Sequence, residues 1–132
     1  MDDLGSQRHR ARERALEILY EAAMKGRPTR DIVPKLTLVP DPYTIGLLES
    51  VEENEERTLE LIRANLVDWT IERLALVDRL IMTLAIAELL LREPPPTAVI
   101  LNEAVELART FSTEDSPSFV NGVLAACVDD LG

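Results

Sequence analysis

Seven consecutive residues concentrate most of the sequence's usable chemistry: Arg8-His9-Arg10-Ala11-Arg12-Glu13-Arg14. Four guanidinium groups in one helical stretch make a grip for a polyanion, because each phosphate neutralised releases a condensed counterion. Arg8 and Arg12 are i,i+4 neighbours, as are Arg10 and Arg14, and like charges at that spacing cost an isolated helix a few tenths of a kcal/mol. They also sit near a helix start, where the macrodipole disfavours cations. That arrangement makes sense if a nucleic acid neutralises it; equally, Glu13 and Glu17 are close enough to make it an ordinary solvated helix end. The charge pattern alone leaves both open.

A second cluster is Phe111-Ser112-Thr113-Glu114-Asp115-Ser116-Pro117-Ser118-Phe119-Val120-Asn121-Gly122. Ser116-Pro117 reads as a capping hydroxyl followed by proline at the first helical position. A helix start exposes backbone N–H groups to phosphate, and an outward Phe119 would stack on an unpaired base. The competing reading places Phe119 in the core, with Asp115 or Ser116 acting only as a cap. Gly122, in mid-helix, suggests close approach of another helix.

Catalysis lacks its parts. The chain has one histidine, and it has no nucleophile elbow, no phosphate-cradling glycine loop and no metal-ligand cluster. A single cysteine excludes an intrachain disulfide and a four-cysteine zinc site. Cys127 lies at an apolar helical spacing and reads as core packing. Neither enzyme activity nor a cofactor is expected.

These residues must be positioned by helices. Leu, Ala, Ile and Val dominate an apolar fraction of 46%, only five residues are aromatic, and no segment alternates as a strand would. A first helix is predicted over 6–25, stopped by Gly26-Arg27-Pro28. Residues 28–41, with Pro28, Pro34 and Pro40, hold a short irregular helix at most. A long helix runs from Pro42 to about Leu66, with Leu48, Val51, Leu59, Ile62 and Leu66 inward. Its outer Glu49, Glu52, Glu53, Glu56 and Glu60 form a solvated face first and a binding surface second. Thr70 caps a short turn. The nearly all-apolar 74–91 segment belongs at the centre of a bundle, and Asp78, Arg79 and Glu88 inside it argue against a membrane span. Further helices cover 97–111, with Phe111 facing inward, and the segment from Ser116 to the end.

The 132 residues suit one domain, 1–132, and carry a net charge of −10. That sum hides an asymmetry. Residues 1–30 hold seven basic and five acidic side chains, whereas the other 102 hold seven and 19, a net −12. The start of the chain has no apolar signal run and no stretch is long enough to span a bilayer, so a cytoplasmic protein is expected.

Leu101-Asn102-Glu103-Ala104-Val105-Glu106-Leu107-Ala108-Arg109, Glu114-Asp115-Ser116 and Phe119-Val120-Asn121-Gly122-Val123-Leu124 resemble the "INEAVELAK…F…ED…FVNGVL" pattern of the NusB transcription-antitermination family. Arg8–Glu13 resembles that family's arginine-rich run, and Val77-Asp78-Arg79 with Ala87-Glu88-Leu89 resembles its central helix. The resemblance implies an all-α domain of about seven helices in two roughly perpendicular bundles. It implies pairing with the ribosomal protein NusE, binding of single-stranded boxA-type RNA in nascent ribosomal RNA operon transcripts, and loading onto the RNA polymerase antitermination complex.

By position, Arg8, His9, Arg10, Arg12 and Arg14 fall in the family's RNA-binding run, with Arg10 and Arg12 expected to be exposed. Asp115, Ser116, Ser118 and Phe119 fall in the segment that joins it. Tyr20, Glu72 and Asp78 match positions at or near the partner surface. Three departures weaken the electrostatics: no basic residue near Ser118, an acidic ending Asp129-Asp130-Leu131-Gly132, and acidic residues before Arg8. Weak RNA binding without the partner is therefore expected. A protein-interaction module that has lost RNA binding is the main competing reading, and the amino-terminal domain of an RNA cytosine methyltransferase is another. Apolar faces that receive a partner would also allow a homodimer.

Overall fold

A computed structural model describes residues 3–132, and among these there are seven α-helices and no strand. Helix α1 (Leu4–Lys25) starts two residues earlier than predicted because Asp3 caps it, accepting the Ser6 N–H at 2.7 Å. It stops at Gly26, whose φ of 62° belongs to the left-handed region that glycine enters without strain. Helix α2 (Thr29–Ile32) is one turn, followed by a 3-10 turn at Val33–Lys35.

The long helix predicted from Pro42 to Leu66 is two helices, α3 (Pro42–Glu53) and α4 (Glu55–Ala64). The break is Asn54. Its side-chain amide donates to the Ser50 carbonyl and hydroxyl, and its backbone leaves the helical region at φ −108°, ψ 17°. This local side-chain bond competes with helix continuation. Thr70 makes no capping bond before the 3-10 turn Ile71–Arg73.

Helix α5 (Leu76–Leu89) is the hub, packing against α1, α3, α4, α6 and α7. Every residue from Ile81 to Glu88 is buried, as an all-round apolar helix requires. Leu16 and Leu19 of α1 and Leu47 and Leu48 of α3 close over one part of the core. Ile62 of α4, Ile100 and Leu107 of α6 (Thr97–Phe111), and Val120 and Leu124 of α7 (Ser116–Leu131) fill the rest. Each fully buried side chain of this kind contributes about 1.5–3 kcal/mol.

Two expectations about single residues fail. Gly122 is exposed, and a Cβ there would meet nothing within 4 Å, so no helix approaches it closely. Phe111 is 42% exposed instead of facing inward, because it sits on the last turn of α6 where the core has ended. Cys127 is fully buried; its thiol donates to the Leu61 carbonyl, and burial, with the Asp130 charge, pushes it up to about 11. The reading of Cys127 as core matches this geometry.

Candidate nucleic-acid and partner interface

Arg12 is the largest surprise of the basic run. It is 3% exposed, not solvent-facing. Its Nε and Nη2 donate to the two carboxylate oxygens of Glu88 at 2.8 and 2.7 Å, and its Nη1 donates to Glu103 at 3.1 Å. Burial alone would lower the guanidinium pKa, but the hydrogen bonds and charges of Glu88 and Glu103 outweigh it and hold it above the ordinary value. Arg12 is thus a structural cation joining α1 to α5 and α6, and the expectation that it faces a transcript is corrected. The reason is the helical period. Position 12 shares a face with the buried Ala11, Ala15 and Leu16, and Glu88, in the most buried helix, needs a cation.

The other members of the run lie nearer solvent. Arg8 places its guanidinium carbon 3.9 Å from the centroid of the Tyr43 ring. The Tyr43 hydroxyl donates in turn to Glu88, and burial, that bond and the Glu88 charge all raise the phenol pKa. His9 Nδ1 lies 2.7 Å from Glu103, and its Nε2 lies 3.6 Å from Glu13. Arg10 is exposed. Arg14 reaches the Leu38 carbonyl at 3.5 Å and pairs loosely with Glu17 at 3.8 Å. Arg8 is half-buried and Arg10 exposed, both near the start of α1.

At the start of α7, Ser116 is turned inward and does not cap the helix. Its hydroxyl donates to Asp78 at 3.0 Å and accepts the Thr113 N–H at 3.2 Å, while Ser112 donates to the other Asp78 oxygen at 2.5 Å. Asp115 precedes the helix without making a side-chain cap bond. Ser118 is exposed and lines a cleft against α6 with Asn102, Val105, Arg109 and Asn121. Phe119 is half-buried and lines a different cleft with Asp115, Ser116, Trp69 and Arg73. The structure therefore separates Ser118 from Phe119. Helix α6 connects the Ser118 cleft to the basic run: Asn102 lines that cleft, and the next residue, Glu103, holds His9 and Arg12.

Asp78, expected at the partner surface, is 7% exposed and occupied by Ser112 and Ser116, which corrects that placement. A carboxylate in the first turn of the central helix is used to tie down the α6–α7 loop. Glu72 is exposed, with Arg63 at 3.8 Å. Tyr20, 42% exposed, lines an apolar groove with Leu16, Glu17, Val77 and Phe111.

Sequence reasoning missed Tyr43, Glu88 and Glu103 as parts of the site. Glu88 carried a signal, because a lone carboxylate among consecutive apolar residues must find a cation when the helix is buried.

Comparison with known proteins gives a consistent result. The model of the NusB family matches residues 9–129. The chain is 40% identical over 131 residues to the transcription antitermination protein NusB of Streptomyces griseus subsp. griseus, covering 92% of each. It is 37% identical over 126 residues to the protein of the same name from Thermobifida fusca, covering 92% of this chain and 89% of that one. Among solved structures, T. maritima NusB superposes with a TM-score of 0.83 at 29% identity, over 93% of this chain and 91% of that one. A crystal structure of antitermination factors NusB and NusE in complex with dsRNA gives 0.79 at 25% identity, over 93% and 96%.

Proposed function

The chain belongs to the NusB family, and on that premise we propose that it is a transcription antitermination factor. With the ribosomal protein NusE it holds boxA-type RNA in nascent ribosomal RNA operon transcripts and helps RNA polymerase resist termination. It acts as a non-catalytic adaptor, a single domain over 1–132, in the cytoplasm, where its transcripts are made. No helix among the described residues is long and apolar enough to cross a membrane.

The observation that carries the reading is the edge formed by Arg8 and Arg10, half-buried and exposed, at the start of α1 on an otherwise acidic body. Exposed guanidinium groups attract phosphate, while the acidic remainder suits a basic ribosomal partner. Because Arg12 is buried and Arg14 leans on Glu17, the cationic edge is small, and stable RNA binding depends on the partner. Tyr20 and the groove beside it supply the partner surface, with Glu72 as a flanking charge. Asp115, Ser118 and Phe119 extend the RNA surface from α7, in two clefts instead of one.

The test is RNA retention by the purified protein with and without NusE across a salt series. A single-stranded boxA-type RNA should be held by the pair, with log affinity falling linearly against log salt. Each phosphate contact supplied by Arg8 or Arg10 adds about 0.7 to that slope. Arg10→Ala should weaken retention without lowering the melting temperature. No retention by the pair, or a flat salt response, would defeat the proposal.

One observation favours a second reading, a partner-binding module without RNA affinity: the burial of Arg12 removes a quarter of the arginines in the basic run. Partner binding with no gain in RNA affinity would select it. The relative crystallised with NusE was in complex with dsRNA, so a duplex of the same sequence belongs in the series as a comparison.

A further inference from the structure

Tyr43 touches both halves of the basic edge. On one side the Arg8 guanidinium lies over its ring at 3.9 Å; on the other its hydroxyl donates to Glu88. Glu88 is held by the Nε and Nη2 groups of buried Arg12. The start of α3 is also fixed, because Asp41 accepts the Tyr43 N–H at 2.7 Å. The ring is thus anchored at its backbone and at its oxygen, which prevents it from swinging away with a ligand.

From this stack we propose that Arg8 and Tyr43 form a two-layer platform on which one unpaired nucleobase stacks. Tyr43 is the lower layer and positions the guanidinium; the base covers the outward face of Arg8. This rests on RNA being the ligand, and it deepens that reading by assigning a base-stacking subsite to residues that otherwise count as a single charge.

Three physical points carry it. Arginine presents a planar, weakly hydrated surface that stacks on aromatic faces and on bases, which a lysine ammonium does not. A guanidinium already ordered by the ring loses little further freedom when a base arrives, so more of the contact appears as affinity. And Arg8 is only half-buried, although one face is covered by the ring, so surface remains for a ligand. The N–H edge of the same group stays in the plane, where it can reach the adjacent phosphate.

The experiment uses the complex with NusE and a short single-stranded boxA-type RNA, together with copies of that RNA each carrying one abasic nucleotide. Proteins compared are the unaltered chain, Arg8→Lys, Tyr43→Leu and Tyr43→Phe, all checked by thermal melting. Arg8→Lys keeps the charge and loses the plane; about tenfold weaker binding with an unchanged salt slope is expected, the size of one base-stacking contact. Tyr43→Leu should match it, and Tyr43→Phe, which keeps the ring, should stay within about threefold of the unaltered protein. One abasic position should weaken binding about tenfold with the unaltered protein and leave binding by Arg8→Lys unchanged. Arg8→Lys binding as well as the unaltered chain, or abasic effects that simply add to that substitution at every position, would overturn the platform while leaving antitermination intact. Should Tyr43→Leu fail to fold, Arg8→Lys, at the half-buried edge of the bundle, decides the question. Failure of the unaltered complex to bind any of these RNAs would remove the RNA reading and the platform together.

Discussion

Replacing Arg12 with alanine should unfold the protein more readily before it touches RNA recognition. Arg12 is 3% exposed and satisfies two carboxylates, one of them, Glu88, itself buried beneath Tyr43. Removing one partner from a buried ion pair leaves an uncompensated charge and costs about 3–5 kcal/mol. Truncating the side chain also opens a void between α1 and α5. With an unfolding entropy of about 2.1 cal/mol/K per residue, the expected fall in melting temperature is about 11–18 °C. Urea denaturation followed by circular dichroism measures it, with the midpoint moving and the slope unchanged. Replacing both members, Arg12→Met with Glu88→Leu, should cost less than Arg12→Ala alone, because no charge is stranded. A loss below about 1 kcal/mol for Arg12→Ala would refute the reasoning: the pair would then be behaving as a hydrated surface contact, and Arg12 would be available to a transcript after all.

Three other outcomes follow from the same geometry. Asp78→Ala removes the acceptor of Ser112 and Ser116 and should cost about 2–4 kcal/mol in denaturant unfolding, with affinity for NusE unchanged once folded; a loss of affinity without a loss of stability would return Asp78 to the partner surface. Tyr20→Ala, at an exposed site on the apolar groove, should weaken NusE binding about tenfold in calorimetry while leaving the melting temperature nearly unchanged. Cys127, with its thiol pushed from 9.0 up to about 11, should resist thiol reagents at pH 8 until the protein is denatured. Because the folded state holds this proton more tightly than the unfolded chain, the resulting stability is intact below pH 9 and is lost as pH rises through about 11. Cys127→Ala should flatten that part of the pH–stability curve.

The parts of the fold legible in the sequence are those set by local chemistry. Gly26 and the three prolines at 94–96 punctuate the chain where the helices stop and start, and the unbroken apolar stretch of α5 marks the centre of the bundle. Asn54 was not legible as a break, because apolar and acidic positions continue through it at helical spacing and only its side-chain bond to Ser50 reveals the interruption. At the site, the clustering of arginines was visible but their sorting was not. Arg12 is distinguished from Arg10 by carboxylates 76 and 91 positions away, information that no local window contains. Ser116 and Asp78 illustrate the same limit: each looks like a surface polar residue in its own segment, and only the approach of α7 to α5 makes them partners.

The Arg12 network also fixes when, during synthesis, the protein becomes competent. Its bonds join the amino-terminal helix to Glu88 and Glu103, so the first residues to leave the ribosome wait for helix α6 before their edge can lock. Completion of α6 withdraws one guanidinium from solvent and sets the others in place. The arrangement of the amino-terminal helix is thus a late product of biogenesis, imposed by sequence-distant contacts.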